Sequence, residues 1–220
     1  MSVRGAFPAS AATNIGVLPF YAPFVATVTK GVIFMQKNKK LWISVRMMAT
    51  DAVLIAMYVV LNSIAIRTAN IKFTLDAFPI IIGAVMFGPL HGTLIGFVGS
   101  SIYQLFFSGY GITPTTPLWM LPVIIRGLIV GLYSRRKAYE PPMGGLVAVT
   151  ILAGVLTTAF NTLALYTDSI IYNYYSYELV FGLLIPKFVI SVILAVVFAL
   201  ITPALVKKIR KNIKLPAGGK

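Results

Sequence analysis

Residues 67–127 read RTANIKFTLDAFPIIIGAVMFGPLHGTLIGFVGSSIYQLFFSGYGITPTTPLWMLPVIIRG. The stretch holds two apolar runs joined by a Gly/Pro turn, Gly88-Pro89-Leu90-His91-Gly92, with polar loops at their far ends. Runs this short are either buried core helices or membrane segments, and their own sequence does not separate the two. The composition of the whole chain does. It is 58% hydrophobic and 11% charged, with a mean hydropathy of +0.89, whereas soluble domains carry about 45–50% apolar and about 25% charged residues. A soluble core cannot hide that much apolar surface, so the solvent is lipid.

The same composition excludes other classes. There is no cysteine, which removes disulfides and thiolate metal sites. A net charge of +14 would suit nucleic acid, but the basic residues fall in short clusters between apolar runs. That is the pattern of cytoplasmic loops beside anionic lipid, so nucleic-acid binding is not expected.

Residues 1–34 form an atypical N-terminal extension. The apolar run 15–34 is interrupted by Pro19, Pro23 and Lys30, while a spanning helix needs about 20 clean residues. No small-x-small cleavage site follows it. Met35-Gln-Lys-Asn-Lys-Lys has the form of a cytoplasmic start before a membrane helix. Translation is accordingly expected to begin at Met35, the preceding residues not being translated, with a genuine extra amphipathic or spanning segment as the alternative. Residues 35–220 are the membrane domain.

The expected architecture is an all-α integral membrane protein of six transmembrane helices, at 41–66, 76–90, 93–107, 119–133, 145–167 and 179–206. The second to fourth are short for a hydrocarbon core of about 30 Å. Lys37, Lys39, Lys40, Arg135, Arg136, Lys137, Lys207, Lys208, Arg210, Lys211 and Lys214 fall on one side and only Arg67 and Lys72 on the other. By the positive-inside rule both termini are cytoplasmic.

Depth then singles out a layer. Counting inward from the outer ends at about 1.5 Å per residue, Gln104, Arg126, Asn161 and Lys187 all lie roughly 5–12 Å in, on four different segments. Asp76 enters the layer at the start of the second. Ionisable groups at such depth face the bundle interior or a water-filled cavity. The alternative is that Arg126 and Lys187 snorkel, or pair with Asp76 as structural glue. Pro122 and Pro186 precede the two cations closely, and a proline that frees a carbonyl bends a helix and leaves room for a pocket. Gly92, Gly96 and Gly99 read as close helix packing.

The cations Arg67, Lys72, Arg126 and Lys187 favour an anionic ligand. Phe73, Phe78, Tyr103, Phe107, Tyr110 and Trp119 would stack on a flat ring, although Trp119 and the tyrosines of 172–177 equally suit an interfacial belt. Asp76 would accept hydrogen bonds from an amino-heterocycle. A flat heterocycle with an anionic tail meets this inventory. The candidate site is therefore Arg67, Lys72, Phe73, Asp76, Tyr103, Gln104, Trp119, Arg126, Asn161 and Lys187.

Catalysis has little support. His91 sits in a cytoplasmic turn with no carboxylate near it in sequence, and no nucleophile, metalloprotease or phosphate-loop motif occurs. Neither cofactor nor metal is expected, and Asp51 and Asp76 are the only candidates for a proton relay.

FTLDAFPIIIGAVMFGPLHGTLIG followed by GITPTTPLWMLPVIIRGLIVGLY resembles the folate family of substrate-binding subunits of energy-coupling factor (ECF) transporters, over roughly 44–210. The resemblance implies a six-helix subunit that captures a vitamin outside, with no enzymatic activity. It implies partners too: a membrane-embedded coupling subunit and two ATPases. Related subunits take cobalamin, pantothenate or queuosine precursors, so it specifies the transporter class more than the vitamin. Ala52-Val-Leu-Ile-Ala56 matches the docking motif of such subunits, and its small side chains permit close backbone approach. The pocket is expected on helices other than the first. An autonomous secondary carrier using Asp76, or a membrane enzyme or scaffold, are the rival readings.

Overall fold

The computed structural model describes residues 39–64, 66–68, 71–73, 75–109 and 111–213; expectations about residues 1–34 lie outside them. A division between Ile43 and Ser44 leaves Ser44–Lys220 as one compact unit, which holds every side chain discussed below. The described residues form seven helices and one hairpin: α1 (Lys39–Ser63), β1 (Ile66–Thr68), β2 (Ile71–Phe73), α2 (Ala77–Phe87), α3 (Pro89–Phe106), α4 (Thr116–Arg136), α5 (Met143–Ile171), α6 (Tyr177–Phe181) and α7 (Leu184–Ile213).

Among the described residues, four stretches are long and apolar enough to cross a membrane: Val45–Ser63, Thr116–Arg136, Met143–Ile171 and Tyr177–Asn212. Large apolar side chains on them, such as Val53, Leu152 and Ile185, stand exposed, as lipid-facing positions do. Neither α2 nor α3 is among the four. The count of six spans and the cytoplasmic placement of both termini thus rest on the sequence.

At 11 residues, α2 extends about 16 Å. All of it except Phe78 is buried, as expected of a helix that is apolar on every side. A buried helix end needs partners for its last carbonyls, and distant side chains supply them. Ser134 Oγ donates to the Val85 carbonyl at 2.9 Å, and Arg210 Nη2 reaches the Val85 and Met86 carbonyls at 3.4 Å each. A cation at a helix C-terminus is also favoured by the helix dipole. Arg210, which the sequence places among the basic residues of the cytoplasmic side, also ties α7 to the end of α2.

The Gly/Pro turn is tighter than expected. Gly88 alone separates α2 from α3, with φ of 96°, a conformation that favours glycine. Pro89 opens α3 without losing a helical bond. His91 is consequently in the first turn of α3 and not in a loop. It does have a carboxylate partner: its Nδ1 lies 2.5 Å from Oδ2 of buried Asp51 on α1. The two are 40 residues apart, which is why the sequence shows His91 without one.

Glycines carry the α3–α4 contact, as expected for Gly92 and Gly96. A Cβ on Gly92 would come within 3.0 Å of the Gly127 carbonyl oxygen, and one on Gly96 within 2.9 Å of the Val123 oxygen. Gly99 receives the Tyr58 ring of α1.

The sixth apolar segment is broken. Residues Gly182 and Leu183 separate α6 from α7, so Lys187 lies in the first turn of α7 and not two turns into a continuous helix. Pro186 is in that first turn as well, where its missing N–H has no helical partner to lose. It therefore does not bend the helix, contrary to expectation; Pro122, inside α4, is the proline placed to do so.

Candidate functional site

One cavity of about 480 Å³ opens among α1, the start of α2, α3, α4, α5 and α7. Its volume is within the range of small-molecule pockets. Asp76, Tyr103, Gln104, Trp119, Arg126, Asn161 and Lys187 all line it. Counting depth along separate segments brings these side chains together because a helix has a fixed rise, so equal residue counts reach equal levels.

Arg67, Lys72 and Phe73 belong to the hairpin between α1 and α2, where the register sets Arg67 opposite Lys72 and Ile66 opposite Phe73. Their side chains lie outside the described part, as does Tyr110. The hairpin itself is absent from the sequence reading: three residues per strand are too few for a pattern of alternation to register.

The electrostatics centre on Arg126. It interacts with Asp76 and with the Tyr58 hydroxyl, so the cavity holds a cation, a carboxylate and a phenol in mutual reach. Tyr58 is 2% exposed, and its hydroxyl accepts a hydrogen bond from Asn62 Nδ2 at 3.2 Å. Both are on α1, which corrects the expectation that the first helix stays out of the pocket. The signal was present in the sequence as the i, i+4 pair Tyr58–Asn62. Lys187 reaches the cavity from α7, and its own N–H donates to the Leu183 carbonyl at 3.1 Å.

Of the other aromatic residues considered, Phe107 stacks on Tyr103 with ring centroids 6.4 Å apart. Phe78 packs at 5.4 Å on Phe198, which lines the cavity. The tyrosines 172, 174, 175 and 177 are exposed. Tyr174 and Thr115 share Asp168: Thr115 Oγ1 donates to its Oδ1 at 2.5 Å and Tyr174 to its other oxygen. That pins the loop before α4 to the end of α5.

The sequence reading missed the α5 side of the cavity apart from Asn161. Thr150, Gly154, Thr157, Thr158, Thr162 and Leu165 line it, recurring at the three- and four-residue steps of one helical face. Thr157 Oγ1 donates to the Ala153 carbonyl at 2.6 Å and reaches the Pro122 carbonyl across the gap at 3.3 Å, joining α5 to α4 at its internal proline. Among the described residues, no three His, Cys, Asp or Glu side chains come together as a metal site would require.

Comparison with known proteins follows the same lines. A crystal structure of FolT bound with folic acid superposes with a TM-score of 0.58 at 24% identity, covering 73% of this chain and 92% of that one. The S-component for biotin from an ECF-type ABC transporter gives 0.55 at 17% identity, covering 76% and 92%. At such identities the likeness concerns the fold. A UPF0397 protein of Vibrio atlanticus (strain LGP32) is 32% identical over 96 residues, 39% of this chain. The chain spans half the length of that curated relative. The family model of the ECF transporter substrate-specific component matches residues 46–211. With three quarters of its length under that match and helices apolar enough to span a bilayer, the chain belongs to the substrate-specific components of ECF transporters, integral membrane proteins of a transport system and not enzymes.

Proposed function

We propose that this chain captures a folate-like vitamin at the outer face of the cell membrane and delivers it for ATP-driven uptake. The observation that carries the proposal is that Arg126 and Lys187 line the same cavity as Asp76, Tyr103 and Trp119. Cations for a carboxylate tail, aromatic faces for a flat ring and a carboxylate for ring N–H groups are what a folate-like molecule requires. The folic-acid complex of a protein with this fold supports the choice of vitamin. Residues 35–220 form the binding domain, with six membrane segments, both termini cytoplasmic, and α2 and α3 as the short pair within the bundle. A membrane coupling subunit and two ATPases complete the transporter, docking through Ala52 and Ala56.

Titration of the purified chain tests the site. Arg126→Ala and Lys187→Ala should each weaken folic acid binding by about 1–3 kcal/mol, the value of a charge-assisted hydrogen bond, with membrane expression unchanged. Normal affinity in both variants would make the two cations structural.

The hairpin adds a kinetic expectation. Arg67 and Lys72, the cations of the loop between the first two helices, act as a cationic lid for an anionic ligand, so Arg67→Glu with Lys72→Glu should slow association more than it speeds dissociation. Added salt should shrink that difference, since steering acts through screened charge. Stopped-flow rates indifferent to the reversal would remove the hairpin from the site.

A further inference from the structure

We propose that α5 presents the ligand with a wall of hydrogen-bond acceptors, so that the ligand edge lying against it must carry N–H donors. Thr150, Thr157, Thr158 and Thr162 line the cavity on one face of α5. Each hydroxyl proton is already committed to a backbone carbonyl: Thr150 to Leu146 at 2.7 Å, Thr157 to Ala153 at 2.6 Å with the Pro122 carbonyl of α4 as a longer second acceptor at 3.3 Å, Thr158 to Gly154 at 3.0 Å and Thr162 to Thr158 at 2.9 Å. A hydroxyl has one donor and two lone pairs. With the proton turned back into the helix, each oxygen has acceptor capacity left for the cavity. Turning a proton outward would give up a bond in a low-dielectric interior, where such bonds are strong.

The two cations of the cavity, on α4 and α7, are of the opposite kind. Arg126 and Lys187 carry donors only, so the groups they meet are anionic or carbonyl oxygens. The cavity thus combines two donors-only side chains with acceptor oxygens at Asp76 and in a row along α5. It takes a ligand with an acceptor tail and a donor edge, such as an amino-substituted heterocycle or a cyclic urea, and rejects rings whose edge offers acceptors alone. Asn161 offers both kinds of group and does not discriminate. This inference rests on the cavity being the binding site, as proposed above, but not on the ligand being folate.

The test uses pairs of ligands that differ by one donor, titrated against the purified full chain: folic acid with its 2-desamino analogue, and biotin with an N-methylated biotin. Whichever parent binds should be preferred to its donor-deleted partner by about tenfold. Thr158→Val with Thr162→Val should abolish that preference, whereas Thr158→Ser with Thr162→Ser should keep it. Arg126→Ala should weaken both members of a pair by the same factor. Equal affinity for parent and donor-deleted ligand in the unaltered chain overturns the wall. So does a valine pair that weakens both members alike. Binding of biotin with preference for its free N–H, and no binding of folic acid, would overturn the folate reading and leave the wall standing. Failure of both parents to bind would overturn both.

Discussion

Replacing Ala52 and Ala56 together by leucine is expected to abolish ATP-driven uptake while leaving ligand binding intact. Both alanines lie on the exposed face of α1, beside Val53 and Val60, which are 67% and 53% exposed. The other face of the helix carries Asp51, Leu54, Tyr58 and Asn62, all buried, and only that face reaches the cavity. Two helices approach closely in lipid through small side chains, and two added isobutyl groups would hold them apart. Overpacking of this kind costs about 1–3 kcal/mol per site, so docking should fall by roughly thirtyfold or more, at about 1.4 kcal/mol per factor of ten. Proteoliposomes provide the measurement. The chain alone should bind vitamin without accumulating it under any ion gradient; adding the coupling subunit, both ATPases and ATP should start uptake, except in the double leucine variant. Accumulation driven by an ion gradient and lost in Asp76→Asn would identify a secondary carrier instead. Joint loss of binding and uptake in the leucine variant would assign the alanine face of α1 to the pocket and move the docking surface elsewhere.

A second large effect is expected at Gly127. A Cβ there would stand 2.4 Å from the Gly92 carbonyl carbon and 2.5 Å from its oxygen. Both are backbone atoms of α3, so no side chain can rotate away, and relief requires the α3–α4 pair to separate. Gly127→Val should therefore destabilise the fold by about 3 kcal/mol or more, visible as a large drop in melting temperature in detergent. Gly144→Ala is the matched control. Nothing lies within 4 Å of a Cβ at Gly144, and alanine favours a helix by up to about 1 kcal/mol, so that variant should be neutral or slightly stabilised. Equal melting temperatures for Gly127→Val and the parent chain would mean that α3 and α4 do not meet through these glycines.

Read against the structure, the sequence succeeds wherever its signal is local. Composition alone assigns lipid as the solvent. Gly88-Pro89 marks the turn because a positive φ and a proline at a helix start are properties of single residues. Asp76, Gln104, Arg126, Asn161 and Lys187 can be assigned to one layer because depth along each segment depends mainly on residue count. Lys187 shows the margin of that argument, since a helix break at Gly182 shifts its place in the helix without removing it from the cavity.

What the sequence leaves open is direction and partnership. Helical periodicity does not say which face of α5 turns inward, and so the threonines that line the cavity pass as ordinary helix residues. His91 finds Asp51 across 40 residues, and Arg210 reaches the end of α2 across 125. Such pairs are set by how the helices pack, and no pattern within a few residues of His91 or Arg210 encodes them. The sequence by itself thus determined the membrane class, the family and part of the cavity lining, namely Asp76, Tyr103, Gln104, Trp119, Arg126, Asn161 and Lys187. Only the tertiary structure decided that α1 shares the cavity through Tyr58 and Asn62, and that the threonine protons of α5 turn back into their own helix. Those outcomes depend on contacts between elements, and contacts between elements exist only once the bundle has closed.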